Sequence, residues 1–229
     1  MLPRGSRKPA ALTDWVYATI KDAILSLELP MGSQLKIDEF AGKLDCSRTP
    51  IREALLRLEK DGLVEVVPRV GFFVTQITRR DLKELLEIRE LLEAYAVRIA
   101  ADALSDSDLN YLDQLLDLGE KAVREGDLEQ FQQVEIDFHT HLMELAPNRR
   151  LTEAMNGLQD LTYRERMLAL RSPENVRETL LEHRRIVEAL RKGDGELAAR
   201  MMAEHIAGVR TRLIDFLELP EDAGRAIPD

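Results

Sequence analysis

The sequence predicts a mostly α-helical protein in two parts, three helices closed by a short β-hairpin and then an antiparallel all-helical bundle of about six helices. Three observations carry this. Apolar residues recur at spacings of three and four along most of the chain. The first part has two β-prone runs, residues 63–67 and 72–75, joined by Pro68-Arg69-Val70-Gly71. From Thr78 onward strand patterns give way to long amphipathic helices with short breaks.

A chain of 229 residues, 45% hydrophobic and 32% charged, is long enough for two modest domains, each with its own core. No apolar run approaches the roughly 20 residues of a membrane span, and the N-terminus lacks a signal-peptide core, so a cytoplasmic location is expected. A lone cysteine, Cys46, excludes an internal disulfide and fits a reducing compartment. Residues 1–10 read as a flexible arm, 11–77 and 78–219 as the two domains, and 220–229 as a tail. The net charge of −10 is unevenly spread: residues 1–77 hold 11 Lys+Arg against 10 Asp+Glu, leaving 21 against 32 for the rest. A near-neutral head with local arginines is compatible with a phosphate backbone, because the local field is what matters.

In the first part, Val16, Tyr17, Ile20, Ile24 and Leu27 predict a helix over 14–27. A second covers 37–44, burying Phe40, Ala41 and Leu44. A third runs from Ser47 to Asp61, with Ser47 as cap, Pro50 in the first turn and Gly62 as the stop. On this third helix Arg48 and Arg52 share one face and Ile51, Leu55 and Leu58 the other. That is the layout of a DNA-recognition helix, although a surface helix with two solvated arginines has the same pattern. Three helices and a hairpin in this order make a winged helix-turn-helix.

This part resembles the GntR family of transcription regulators. The residues that carry the likeness are Gly32, Leu35, Ala41, Leu44, the run Ser47-Arg48-Thr49-Pro50-Ile51-Arg52-Glu53-Ala54-Leu55, Leu58, Asp61-Gly62-Leu63 and Gly71-Phe72-Phe73-Val74. The resemblance implies that Ser47, Arg48, Thr49 and Arg52 approach a double-stranded, roughly palindromic operator and that Gly71, at the wing tip, reaches toward the minor groove. On this reading Arg48 and Arg52 read guanine edges while Ser47 and Thr49 touch phosphates; Arg69 either follows the wing or is a solvated turn residue. Two departures stand out. Met31 replaces the family's usual proline before Gly32, and Asp38 stands where some members carry a DNA-contacting arginine, so fewer phosphate contacts are expected.

In the second part, Thr78 with Asp81 predicts a capped helix to about residue 103, followed by helices over 106–125, 128–146, 151–170, 175–191 and 196–218. All four histidines lie here. At about 100° per residue, Glu135 and His139 fall within the apolar arc of their helix, whereas Asp137 and His141 fall on its wet face. An inward carboxylate and imidazole need partners, and His183 and His205 on the last two helices are the candidates. Three imidazoles and a carboxylate suit Zn²⁺, Ni²⁺ or another divalent transition metal; core histidines hydrogen-bonded to neighbours would show the same pattern.

Glu135-Ile136-Asp137-Phe138-His139 with Leu142, Asn148-Arg149-Arg150-Leu151, Glu182-His183-Arg184-Arg185-Ile186-Val187 and Glu204-His205-Ile206 resemble the FCD ligand-binding domain of the FadR subfamily. The resemblance implies a metal site at Glu135, His139, His183 and His205, with glutamate where aspartate is usual. It also implies that Arg89 faces the cavity of a small carboxylate effector, with Glu93 a competing partner at i+4. The expectation is therefore a homodimeric DNA-binding regulator, a repressor and not an enzyme. A metal-dependent hydrolase fused to a DNA-binding head and a metal-free, anion-responsive regulator are the alternatives.

Overall fold

The structure, a computed structural model, describes residues 9–221. Most of the arm expected over 1–10 and of the tail over 220–229 thus lies outside the described residues. The architecture is the expected one, mostly helical with a small sheet in the N-terminal part, and the chain divides into two compact units after Ile77.

In the first unit, α1 spans Pro9–Leu25, α2 Ile37–Lys43 and α3 Arg48–Lys60. Helix α1 starts earlier than the apolar pattern indicates, with proline at its first position, where a missing N–H costs little. Strands β2 (Val64–Val67) and β3 (Gly71–Val74) pair antiparallel, Val66 opposite Phe72. A further strand, β1 (Gln34–Leu35), pairs with the other edge of β3 in the order β1-β3-β2. Two residues are too few to show a period, so the pattern could not reveal it. Val16, Ile20, Ile24, Ile51, Leu55 and Leu58 are fully buried and lock α1 against α3. Two expectations need correction. Helix α2 buries none of its residues completely, leaving Phe40, Ala41 and Leu44 half-buried. Ser47 holds the extended backbone of an N-cap (φ −72°, ψ 166°), but its hydroxyl makes no capping bond.

The second unit is a bundle of α4 (Arg79–Ala100), α5 (Asp106–Glu125), α6 (Leu128–Leu145), α7 (Arg149–Asn156), α8 (Gln159–Ala169), α9 (Pro173–Arg191) and α10 (Gly195–Phe216). Thr78 and Asp81 close a reciprocal capping box on α4, as do Ser105 and Asp108 on α5. The single helix expected over 151–170 is two, broken at Gly157-Leu158. Glycine costs about 1 kcal/mol in a helix interior, and here it ends α7, its N–H reaching Glu153 O at 3.2 Å. The bundle therefore has seven helices. Leu86, Val97, Leu116, Phe138, Ile186, Ile206 and Leu213 form its core, and α4 and α10 pack along their lengths. This packing holds facing positions of α4, α6, α9 and α10 together around a buried polar centre.

Candidate metal centre and nucleic-acid interface

His139 of α6, His183 of α9 and His205 of α10 converge in the bundle, all at 4% exposure or less. Their candidate ligand atoms lie within 4.8 Å of one another, and the Nε2 atoms of His183 and His205 are 3.2 Å apart. Two of the rings are held by carboxylates. His139 Nδ1 bonds to Glu93, whose other oxygen accepts from Arg89 Nε at 2.7 Å, and Arg89 also bonds to Glu165. His205 Nδ1 donates to Glu182 Oε2 at 2.7 Å, and Arg212 grips both oxygens of Glu182 at 2.8 and 2.9 Å. Gly208 makes room for that grip: a Cβ there would stand 2.9 Å from Arg212 Nη1 and 3.2 Å from Glu182 Oε1. With Nδ1 of His139 and of His205 committed to a carboxylate, Nε2 is the nitrogen left to each ring for the cluster, that of His205 facing His183, the arrangement typical of metal-binding histidines.

Burial pushes the His139 pKa down to about 3 despite the attraction of Glu93, and burial together with His205 holds His183 well below its ordinary range. Burial alone would raise the Glu93 pKa, but Arg89 and then His139 outweigh it and hold the carboxyl well below the usual range. At neutral pH the Glu93–His139 contact is therefore a carboxylate accepting from a neutral imidazole. Neutral imidazoles are the form that ligates metals.

Glu135 adjoins the triad at His183. Its Oε1 lies 3.4 Å from His183 Nδ1 without a hydrogen bond, and both atoms are buried without other partners among the described residues. Burial raises its pKa to about 8 against the pull of Arg166 and Arg89. Beside it is a space of about 20 Å³ lined by Arg89, Gln132, Glu135, His139, Arg166 and His205. That is room for about one water-sized species. Three converging imidazoles, two orphaned polar atoms and a single-ion space fit a divalent transition metal. The structure also places Arg89 at this space, but its guanidinium is already bonded to Glu93 and Glu165. Asp137 and His141 are half-exposed, as the helical phase indicated, and His141 lies 3.2 Å from Asp108. The sequence reading missed Glu182, Arg212, Glu165, Arg166 and Gly208, because i+4 spacing reveals partners on one helix and none between helices.

In the first unit Ser47, Arg48, Thr49 and Arg52 are exposed together at the start of α3, above the buried Ile51, Leu55 and Leu58. Asp38 of α2 holds Arg48, with 2.6 Å between Oδ1 and Nε. Asp38 thus engages the first arginine of the helix. At the hairpin tip Arg69 is exposed with φ +66°, and Gly71 has φ +146° with Gln34 Nε2 3.1 Å from where a Cβ would be. Both the backbone and the neighbouring side chain therefore favour glycine there.

Residues 12–74 match the model of bacterial regulatory proteins of the gntR family, and residues 84–208 match the FCD domain. The chain belongs to the GntR family. It is 32% identical to the HTH-type transcriptional regulator YdhC of Bacillus subtilis over 86% of this chain and 89% of that protein. Against the HTH-type transcriptional repressor RspR of Escherichia coli, identity is 26% over 83% and 84%. The solved structure of E. coli McbR/YncC superposes with a TM-score of 0.72 at 29% identity, covering 89% of this chain and 97% of that one. This GntR-family chain is a DNA-binding transcriptional regulator and not an enzyme, which sets aside the hydrolase alternative. Among the described residues no helix is long and apolar enough to cross a membrane.

Because Arg89 neutralises two buried carboxylates, Arg89→Ala is expected to destabilise the helical unit by about 3–5 kcal/mol, read as a lower urea midpoint.

Proposed function

We propose that this regulator is a homodimeric, cytoplasmic repressor whose hold on a pseudo-palindromic operator is set by a small carboxylate effector bound beside a metal in the helical unit. The observation that carries the reading is the pair of carboxylate-held histidines, Glu93–His139 and Glu182–His205, which leave ring nitrogens pointing at His183. A core stabilised by histidines alone has no need of two such orienting carboxylates inside an apolar bundle. His139, His183 and His205 would hold the ion, Zn²⁺ or Ni²⁺ by donor type, with Glu135 the adjoining acidic group. When bound, such an ion supplies a cationic anchor for an anionic effector. The chain's own residues orient the rings, keep those of His139 and His183 neutral and line the space. An effector that favours one arrangement of the bundle shifts the population of operator-competent protein.

On the DNA side, Arg48 and Arg52 are read as contacts to guanine edges, Ser47 and Thr49 as phosphate contacts, and Arg69 and Gly71 as the wing. A dimer is supported by Ile88, Leu91 and Tyr95, which lie along one face of α4 at spacings of three and four and stay exposed, Leu91 to 72%.

Three outcomes test this. Tag-free protein is expected to carry about one metal per chain by elemental analysis, with none in His183→Ala; Glu182→Gln, which loosens His205, weakens metal affinity about 10–100-fold. A protein purified without metal that still answers an anionic effector would favour the metal-free regulator. Arg52→Ala is expected to cut discrimination between operator and random DNA by about 1–3 kcal/mol, whereas Thr49→Ala weakens both about equally; equal losses in the two variants would refute the division of roles. Leu91→Glu is expected to turn a sedimenting dimer into a monomer.

A further inference from the structure

Helix α3 carries Arg48, Arg52 and Arg57, and the structure leaves each in a different state. Arg57 is tied down: its guanidinium lies over the Tyr17 ring, 3.9 Å from the centroid, and its Nη1 donates to Asp14 at 3.0 Å. Arg52 has no ion-pair or hydrogen-bond partner among the described residues. Arg48, at the first position of the helix, is held from outside α3 by Asp38 of α2. The neighbouring carboxylate, Glu39, has no part in this, since it pairs with Lys36 at 3.0 Å.

With side chains 69% and 76% exposed, Asp38 and Arg48 add little to stability by pairing. What the pair changes is how Arg48 meets DNA. Its closest approach, 2.6 Å, is between Oδ1 and Nε, and the terminal nitrogens of a guanidinium held at Nε keep donors for another acceptor. An arginine is drawn to any phosphate by charge, whatever the sequence. Asp38 cancels that charge at short range and itself repels phosphate. Guanine O6 and N7 are uncharged acceptors, recognised by the direction of the fork more than by net charge. A fork already held in place also has less rotamer freedom to lose on contact.

We infer that Asp38 is a specificity-determining residue that acts through Arg48: it withholds that arginine from phosphates and presents its terminal nitrogens to a guanine edge. Asp38 thereby lowers affinity for DNA in general and raises the ratio of operator to random binding. The inference rests on the proposed reading of Arg48 as a base contact and names the residue that makes the contact selective.

The test uses the full-length protein. A duplex enriched from a random pool by the wild-type chain serves as operator, a random-sequence duplex as reference, and both are titrated over a series of NaCl concentrations. Asp38→Asn is expected to bind random DNA at least about threefold more tightly at low salt, with its log-affinity against log-salt slope steeper by about 0.9 per protomer. Its operator-to-random ratio should fall at least about fivefold. In an Arg48→Ala background the same substitution should leave the ratio unchanged, because Asp38 then has no arginine to hold. An unaltered ratio or an unsteepened salt slope in Asp38→Asn overturns the inference, and so does an equal fall in the ratio without Arg48. Both side chains are exposed, so the variants should melt as the wild type does; if Asp38→Asn melts lower, Asp38→Ser decides by the same criteria. Arg48→Ala alone separates the inference from the reading beneath it. Unchanged discrimination in Arg48→Ala refutes the base contact and the inference with it, whereas discrimination lost in Arg48→Ala but kept in Asp38→Asn refutes the part of Asp38 alone.

Discussion

Glu93 is the contact on which the interior of the helical unit depends. Its carboxylate lies at 1% exposure, one oxygen toward Arg89 of its own helix and the other toward His139 of α6. A carboxylate that deep is tenable only if both oxygens are engaged and its charge is countered. Arg89 counters it and in turn needs Glu165, so one requirement ties α8 to α4 and α4 to α6. Asn175, Arg212, Glu182 and His205 form a similar series between α9 and α10. Apolar side chains of the same volume would stabilise a bundle at least as well. What the polar series adds is orientation, since His139 and His205 each have Nδ1 bonded to a carboxylate, which fixes the ring beside His183.

The same economy separates two kinds of arginine. Buried arginines are defined by the anions around them: Arg89 is bonded to Glu93 and Glu165, while Arg166 keeps its Nε without a partner. On the first unit the arginines are exposed, and an exposed pair such as Arg48–Asp38 contributes little to stability. The arginines of the first unit thus lie exposed over an apolar base, and those of the helical unit lie among buried carboxylates.

Much of this was legible in the chain. The helical period placed Ile51, Leu55 and Leu58 beneath Arg48 and Arg52, the adjacent β-prone runs marked the hairpin, and Thr78-x-x-Asp81 marked the start of α4. Phase alone put Glu135 and His139 inward and Asp137 and His141 outward. Signals failed where they are short or ambiguous. β1 has two residues, Gly157 sits in a pattern that is otherwise continuous, and Ser47 has a capping residue's identity and backbone without the bond.

By itself, then, the sequence determined the order of elements, the buried face of each helix, the recognition helix and the three histidines, because period, capping and turn chemistry are local and written in neighbouring residues. Only the tertiary structure decided who answers whom across helices: Glu93 for His139, Glu182 for His205, Asp38 for Arg48, Glu165 for the arginine first read as the effector's. It also placed Glu135 Oε1 3.4 Å from His183 Nδ1 and Arg166 beside the same small space. The physical reason is that a buried charge is satisfied by whatever group packing brings within about 3 Å, and that proximity has no signature in sequence spacing.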